Sequence, residues 1–257
     1  MIKSGIAATS LFIGGGISVS YGDVHKQMVG VRGITASGGI GWRNPYITDG
    51  LVAMWDGEWP DGVSGKTSQT ATEWVDIIGG SVYGRGTNII YDPISKCFDT
   101  NKIGLSDAAR FYHDTIYAAN GSTLEVVIAG TFSTGNYRTM ITYYGYSVIV
   151  IGLSGTGIRI NPAGSSVTKT GIPLNTPFHF ATTLISGNGN NKLYYNGEFV
   201  SAGNTPNVQT SNYSAAPDQS ANNVSGRIYA VRVYSRALTA EEIAANYAVD
   251  KERFGLT

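Results

Sequence analysis

Ser225-Gly-Arg-Ile-Tyr-Ala-Val-Arg-Val-Tyr-Ser-Arg-Ala-Leu-Thr-Ala-Glu-Glu-Ile-Ala-Ala-Asn-Tyr247 decides the fold of this chain. It reads as one β-strand, a polar corner and a short capped helix. Period-two alternation places Tyr229, Val231 and Val233 on one side of the strand and Ile228, Arg232 and Tyr234 on the other. Thr239-Ala-Glu-Glu242 has the form of a capping box. The Thr hydroxyl accepts from an early helix amide, and Glu242 reaches back to the amide of the cap. Ile243 and Tyr247, four apart, share one helical face.

Upstream, Lys192-Leu-Tyr-Tyr-Asn-Gly-Glu-Phe-Val200 carries Asn196-Gly197 between hydrophobic strands, the pair of residues a type I′ hairpin turn demands. Pro177–Ile185 alternates, with Phe178, Phe180, Thr182 and Leu184 on one side. Thr123–Phe132 and Tyr143–Leu153 are rich in β-branched and aromatic residues. Ile47-Thr-Asp-Gly-Leu-Val-Ala-Met-Trp55 reads as an opening strand, and Glu73-Trp-Val-Asp76 follows after a polar stretch. Ser201–Asn223, crowded with Ser, Asn, Gly and Pro, reads as a loop.

These segments together resemble laminin-G-like domains of the concanavalin A-like lectin/glucanase superfamily. The resemblance spans residues 47–257: the Gly-Leu-Val-Ala-x-Trp start, a Trp-x-Asp element, the Tyr-x-Asn-Gly hairpin and the closing strand with its capped helix. It implies an all-β fold, a two-sheet antiparallel jelly-roll sandwich with one short C-terminal helix. In such a sandwich the loops carry specificity, here those around 56–70, 133–146 and 201–223.

Residues 1–46 read as a separate β-rich anchoring or assembly segment. Leu11 and Ile13, a run of glycines, then Ile17, Val19 and Tyr21 form a hairpin pattern. Gly5-Ile-Ala-Ala-Thr9 is echoed by Gly33-Ile-Thr-Ala-Ser37. A lone hairpin is marginal in water, so this segment must pack on something. It is similar to Gly/Val-rich anchoring segments that precede receptor-type domains in phage structural proteins. Met1–Ile13 has the outline of a weak signal peptide, but the glycines and strand-like alternation that follow favour a retained segment.

Composition narrows the function. Of 257 residues only 14% are charged, against roughly 25% in an average domain, and the net charge is zero. With no run of Lys or Arg, binding to nucleic acid through phosphate neutralisation is not expected. No stretch reaches the roughly 18 apolar residues of a membrane helix, so no membrane insertion is expected. The single Cys97 forms no internal disulfide and reads as a buried, inert thiol.

Superfamily glucanases set carboxylates on one strand face in a Glu-x-Asp-x-x-Glu pattern, and a retaining mechanism holds two of them about 5–5.5 Å apart. None of the glutamates starts that pattern; Glu125 is followed by Val126 and Val127. No catalytic residue is assigned. His25, His113 and His179 share no ligand spacing, and His179, between two phenylalanines, reads as a satisfied imidazole. The resemblance leaves room for calcium held by loop oxygens at about 2.3–2.6 Å, with Asp49, Asp56, Asp61, Asp76 and Asp218 as candidates. Sugar binding calls for an exposed aromatic face beside planar polar groups. Trp59 with Asp56 and Glu58, and the group Tyr143, Tyr144 and Tyr146, are the ligand-binding candidates.

The expectation is a non-enzymatic, lectin-like module of a phage virion or a bacterial or extracellular surface. Its partners would be a glycan or host-surface polysaccharide, with further copies or virion proteins in an oligomeric assembly. The alternatives are a capsid-decorating or fibre subunit and a glycoside hydrolase with displaced carboxylates.

Overall fold

Alternating segments become antiparallel ladders when each backbone amide finds a partner on a neighbouring strand. The computed structural model describes residues 32–34, 40–42, 44–58, 74–78, 82–83, 90–99, 111–118, 121–131, 139–143, 147–153, 157–162, 167–173, 175–185, 187–205, 211–215 and 225–257. The chain divides into two units, Met1–Tyr46 and Ile47–Thr257. In the first, β1 (Arg32–Ile34) pairs antiparallel with β2 (Ile40–Trp42). The hairpin read over Leu11–Tyr21 lies outside the described residues.

The second unit is mostly antiparallel sheet with one C-terminal helix among its described residues. Its strands are β3 (Leu51–Asp56), β4 (Trp74–Val75), β5 (Val82–Tyr83), β6 (Ile90–Asp92), β7 (Cys97–Asp99), β8 (Phe111–Ala118) and β9 (Ser122–Thr131). There follow β10 (Thr139–Tyr143), β11 (Ser147–Leu153), β12 (Gly157–Pro162), β13 (Val167–Thr170), β14 (Phe178–Leu184), β15 (Gly187–Tyr195), β16 (Glu198–Thr205), β17 (Ser211–Ala215) and β18 (Ser225–Tyr234). Helix α1 spans Ala240–Phe254.

Two large sheets result. One runs β16-β15-β14-β9-β18-β7-β6, with β3 added beside β18 to make eight strands; the other runs β13-β12-β11-β10-β17-β8. β4 and β5 form a small pair of their own. The long strand β18 pairs with β9 along one edge. Its other edge is shared, β7 against Arg227 and Ile228 and β3 against Ala230–Tyr234.

Register sorts the side chains of the eight-stranded sheet into two faces. Trp55, Val231, Val126 and Phe180 stand opposite one another across β3, β18, β9 and β14. The next row on the same face is Ala53, Val233, Leu124 and Thr182. All eight are buried. Between them, on the other face, lie Met54, Arg232, Glu125 and Ala181, then Asp56, Ala230, Val127 and His179. These are buried as well, and here α1 covers the sheet: Tyr234, Ala181 and Tyr194 pack with Leu238 and Ile243.

Three expectations need correction. The stretch 201–223 is not one loop: β16 continues to Thr205, and Ser211–Ala215 is a strand paired on both edges, with β8 and β10. Likewise 133–146 contains β10, paired with β11 and β17. Ladder pairing outweighs the low β-propensity of Ser and Asn, because that propensity measures context more than backbone preference. Third, Tyr229 does not share a side with Val231 and Val233. An irregularity in register between Ile228 and Ala230 turns Tyr229 into the cluster of Val127, Ala129, Ala230 and Leu256, beside Phe254 of the helix. A bulge shifts alternation by one residue, and a pure period-two reading carries no signal for it.

The Asn196-Gly197 turn forms with φ of 48° and 76°. A side chain at Gly197 would also collide with Tyr247, whose Cδ1 lies 2.8 Å from where a Cβ would stand. Cys97, the single cysteine of the chain, is buried.

Candidate functional site

The helix is fastened to the sheet by charge as much as by apolar contact. The residues it buries are Ile243, Asn246 and Asp250, two of them polar. Three clasps hold it along its length.

At its start the capping box forms as read. Glu242 N–H donates to Thr239 Oγ1 at 3.2 Å, and Thr239 N–H donates to Glu242 Oε2 at 2.9 Å. Arg236 donates to both Glu242 oxygens, at 2.8 and 2.6 Å, and pairs with Asp49. Hydrogen bonding from Arg236 holds the Glu242 carboxyl down at about 2. The corner before the helix is tied to β9, since Thr123 Oγ1 donates to Arg236 O and accepts from Leu238 N–H, both at 2.9 Å.

In the middle lies a buried network. Arg232 Nε donates to Glu125 Oε2 at 2.9 Å, and its two terminal nitrogens grip Asp250 as a fork, Nη1 to Oδ1 at 2.9 Å and Nη2 to Oδ2. Asn246 Nδ2 donates to Glu125 Oε2 at 2.8 Å and to the Tyr234 hydroxyl at 2.9 Å, while its Oδ1 accepts Ile47 N–H. Burial, and next the Glu125 charge, push the Tyr234 phenol well above its ordinary range. His179 sits at the margin, Nε2 3.6 Å from Glu125 Oε1 and 3.8 Å from Asp250 Oδ2. It is a core residue but not a satisfied one, because neither ring nitrogen makes a hydrogen bond. Arg232 binds the other Glu125 oxygen, Oε2, and Asp250 Oδ2.

At the far end, Arg253 closes the third clasp. It donates to both Asp56 oxygens, at 2.7 and 2.9 Å, and to Glu58 Oε2 at 3.1 and 3.0 Å. Glu58 Oε1 takes Lys96 Nζ at 2.5 Å. Complete burial raises the Asp56 carboxyl above its usual range, against the pull of Arg253.

The candidate residues therefore separate. Asp56 and Glu58 meet, 2 positions apart, in the third clasp. Asp56 is fully committed inside the protein, and Glu58 keeps partial exposure. Tyr143 ends β10, its backbone facing Ser147 and Tyr213. Trp59, Tyr144 and Tyr146 lie outside the described residues. Of the calcium candidates, Asp76 Oδ1 accepts Met54 N–H and Ile78 N–H, both at 2.9 Å, so the Trp-x-Asp element ties a loop to β3. Asp49 pairs with Arg236. Asp61 and Asp218 are not among the described residues, and among those that are, no three His, Cys, Asp or Glu side chains are grouped to hold a metal ion.

Sequence reasoning did not anticipate the buried network. One signal was available: Arg232 within the run Ile228–Tyr234, otherwise without charge, demands a counter-charge, and Glu125 between Leu124 and Val126 of the neighbouring strand supplies it.

Residues 106–244, more than half of the chain, match the laminin G profile of the concanavalin A-like lectin/glucanases superfamily. The chain belongs to that family. No curated protein matches it in sequence. Among solved structures it is similar to Trypanosoma rangeli sialidase in complex with sialic acid, at 14% identity and a TM-score of 0.59, covering 88% of this chain and 36% of the sialidase. It is also similar to the binding domain of botulinum neurotoxin serotype D, at 16% identity and a TM-score of 0.60, covering 79% of this chain and 52% of that one. A third is botulinum neurotoxin type C, whose cell entry depends on interaction with two ganglioside molecules, at 12% identity and a TM-score of 0.58, covering 77% and 51%. The chain thus spans about a third to a half of the length of these structures, and the likeness is one of fold.

Proposed function

We propose that this chain is a non-catalytic glycan-binding module, displayed by a phage virion or a bacterial surface for attachment to a host-surface polysaccharide or glycolipid. In this reading the six-stranded sheet covers the Trp55–Val231–Val126–Phe180 face, completing a jelly-roll sandwich. Lys169 of β13 reaches across to the Tyr195 ring of β15, its Nζ 5.4 Å from the centroid, in support of that packing.

The observation that carries the reading is the fate of the acids. Glu125, Asp250 and Asp56 are buried and bound to arginines, and Asp76 is buried on backbone amides. A carboxylate so buried lacks the access to substrate that glycoside hydrolysis requires. Binding then falls to loops around a rigid frame. Register sets two strand ends side by side: Ser225, which opens β18, pairs with Thr131, which closes β9. The segment before β14 joins them, with Asn175 N–H on Gly130 O at 2.9 Å and Arg227 Nη2 on Asn175 O at 3.1 Å. The sialic-acid and ganglioside relatives make sialylated glycans the first class to test.

The test is an array of sialylated gangliosides and bacterial polysaccharides probed with the full chain and with a variant carrying a Gly/Ser linker for 216–224. The expected outcome is binding by the first and its loss in the second at an unchanged thermal midpoint. An array without hits, together with unaltered adsorption on deleting the domain, overturns the proposal. A stable trimer that binds no glycan would favour the architectural reading instead.

A further inference from the structure

The Asn196-Gly197 turn carries chemistry that the binding role does not use. When glycine follows asparagine, the unhindered backbone nitrogen of the glycine can attack the asparagine side-chain carbonyl. The new bond joins Gly197 N to Asn196 Cγ, the Cγ–Nδ2 bond breaks, and the leaving nitrogen departs as ammonia with the proton from Gly197 N. Water then opens the five-membered imide at either carbonyl, leaving aspartate or isoaspartate. The reaction needs only water and freedom for the asparagine side chain to swing onto the following amide.

The structure withholds that freedom. Asn196 Oδ1 accepts His179 N–H at 3.0 Å, and Asn196 N–H donates to His179 O at 2.9 Å, so β14 grips the residue twice. Asn196 Nδ2, the nitrogen that would leave, donates to Thr257 O at 2.9 Å. Thr257 is held there by Leu256, which is buried among Val127, Ala129 and Tyr229 and whose N–H donates to Lys251 O at 3.1 Å behind the left-handed Gly255. Gly197 itself is pressed under Tyr247. Helix, C-terminal segment and strand together fix the side chain away from the attacking amide.

We propose that Asn196 is a masked deamidation site, protected while residues 255–257 are docked and converted to aspartate or isoaspartate once they leave. Conversion replaces the donor Nδ2 by a carboxylate oxygen facing the Thr257 carbonyl, an acceptor against an acceptor. Redocking is then disfavoured, so a transient release of this segment becomes a permanent covalent change.

The test follows conversion at Asn196 by peptide mapping with isoaspartate detection in mildly alkaline buffer. The full chain is compared with Leu256→Asp, which expels the buried anchor, and with the chain unfolded in urea. Conversion is expected to be slow in the full chain and roughly fivefold faster in Leu256→Asp, the scale of losing one neutral hydrogen bond. It should be fastest in urea. Equal rates in all three overturn the proposal. Should Leu256→Asp loosen the whole domain, Asn120-Gly121 and Asn188-Gly189 accelerate with it, and Asn196→Asp then decides. Amide exchange at Leu256 must rise in that variant at an unchanged thermal midpoint, and unchanged exchange overturns the proposal.

Discussion

The two faces of the eight-stranded sheet are built from the same strands to opposite rules. On one, Trp55, Val231, Val126 and Phe180 make a buried apolar row in which an apolar residue of similar volume is tolerated best. On the other, one residue further along each strand, Arg232, Glu125 and His179 lie under α1 with Asn246 and Asp250. Burying charges costs several kcal/mol each, and pairing returns that cost only when geometry is good. The apolar face therefore supplies net stability. The charged face supplies register, because the fork of Arg232 on Asp250 and the reach of Asn246 to Glu125 are satisfied at one helix position only.

The sharpest way to break this comparison is to injure each face once and then attempt a rescue. Phe180→Ala should cost about 3–5 kcal/mol through the cavity it leaves. Arg232→Met should cost a similar 3–5 kcal/mol or so, because it strands Glu125 and Asp250 without a counter-charge. Only the second should be rescued: adding Glu125→Leu and Asp250→Leu to Arg232→Met should recover most of the loss in a denaturant titration. If the triple variant stays as unstable as the single one, the charged face is not the register device described here.

Next in size, Gly197→Ala should cost about 1–3 kcal/mol, the price of a left-handed φ with a Cβ driven into Tyr247. Thr239→Ala, which removes a side-chain cap without touching either face, should cost about 1 kcal/mol. Both are read as shifts of the urea midpoint.

The smallest effect is an acid one. The Glu242 carboxyl is lowered in the folded chain to about 2, against about 4.3 for a free glutamate. A lowered carboxylate contributes stability that is fully present above the free value and is lost as pH falls through the folded one. The helical circular dichroism signal should therefore soften between those two values, modestly, since the pair is partly exposed and screened. Glu242→Gln should remove that slope, and an unchanged slope would count against the Arg236–Glu242 clasp.

The last strand and helix were legible because their signals are local. Thr239 and Glu242 sit three residues apart, and their capping bonds formed as read. The Asn196-Gly197 turn was legible for the same reason. What escaped reading is what long-range pairing decides. Ser211–Ala215 is a strand because β8 and β10 flank it, and Tyr229 changes face because of a bulge. The candidate site divides along the same line. Asp56 and Glu58 were legible as neighbours, but Arg253, some 195 positions away from Glu58, claims them both. Sequence spacing holds no record of that meeting.

At the end of β3 the backbone passes so near the β6–β7 turn that a Cβ on Gly57 would lie 2.2 Å from the Lys96 carbonyl oxygen. Lys96 itself adopts φ of 53° to make the approach. Glu58, the next residue, is tied down by Lys96 and Arg253. Whatever polypeptide follows Glu58 thus departs from a moored point, as a cable leaves a bollard. A library of foreign sequences spliced in after that position should vary freely in its reach while the frame beneath keeps its shape, provided the glycine is spared.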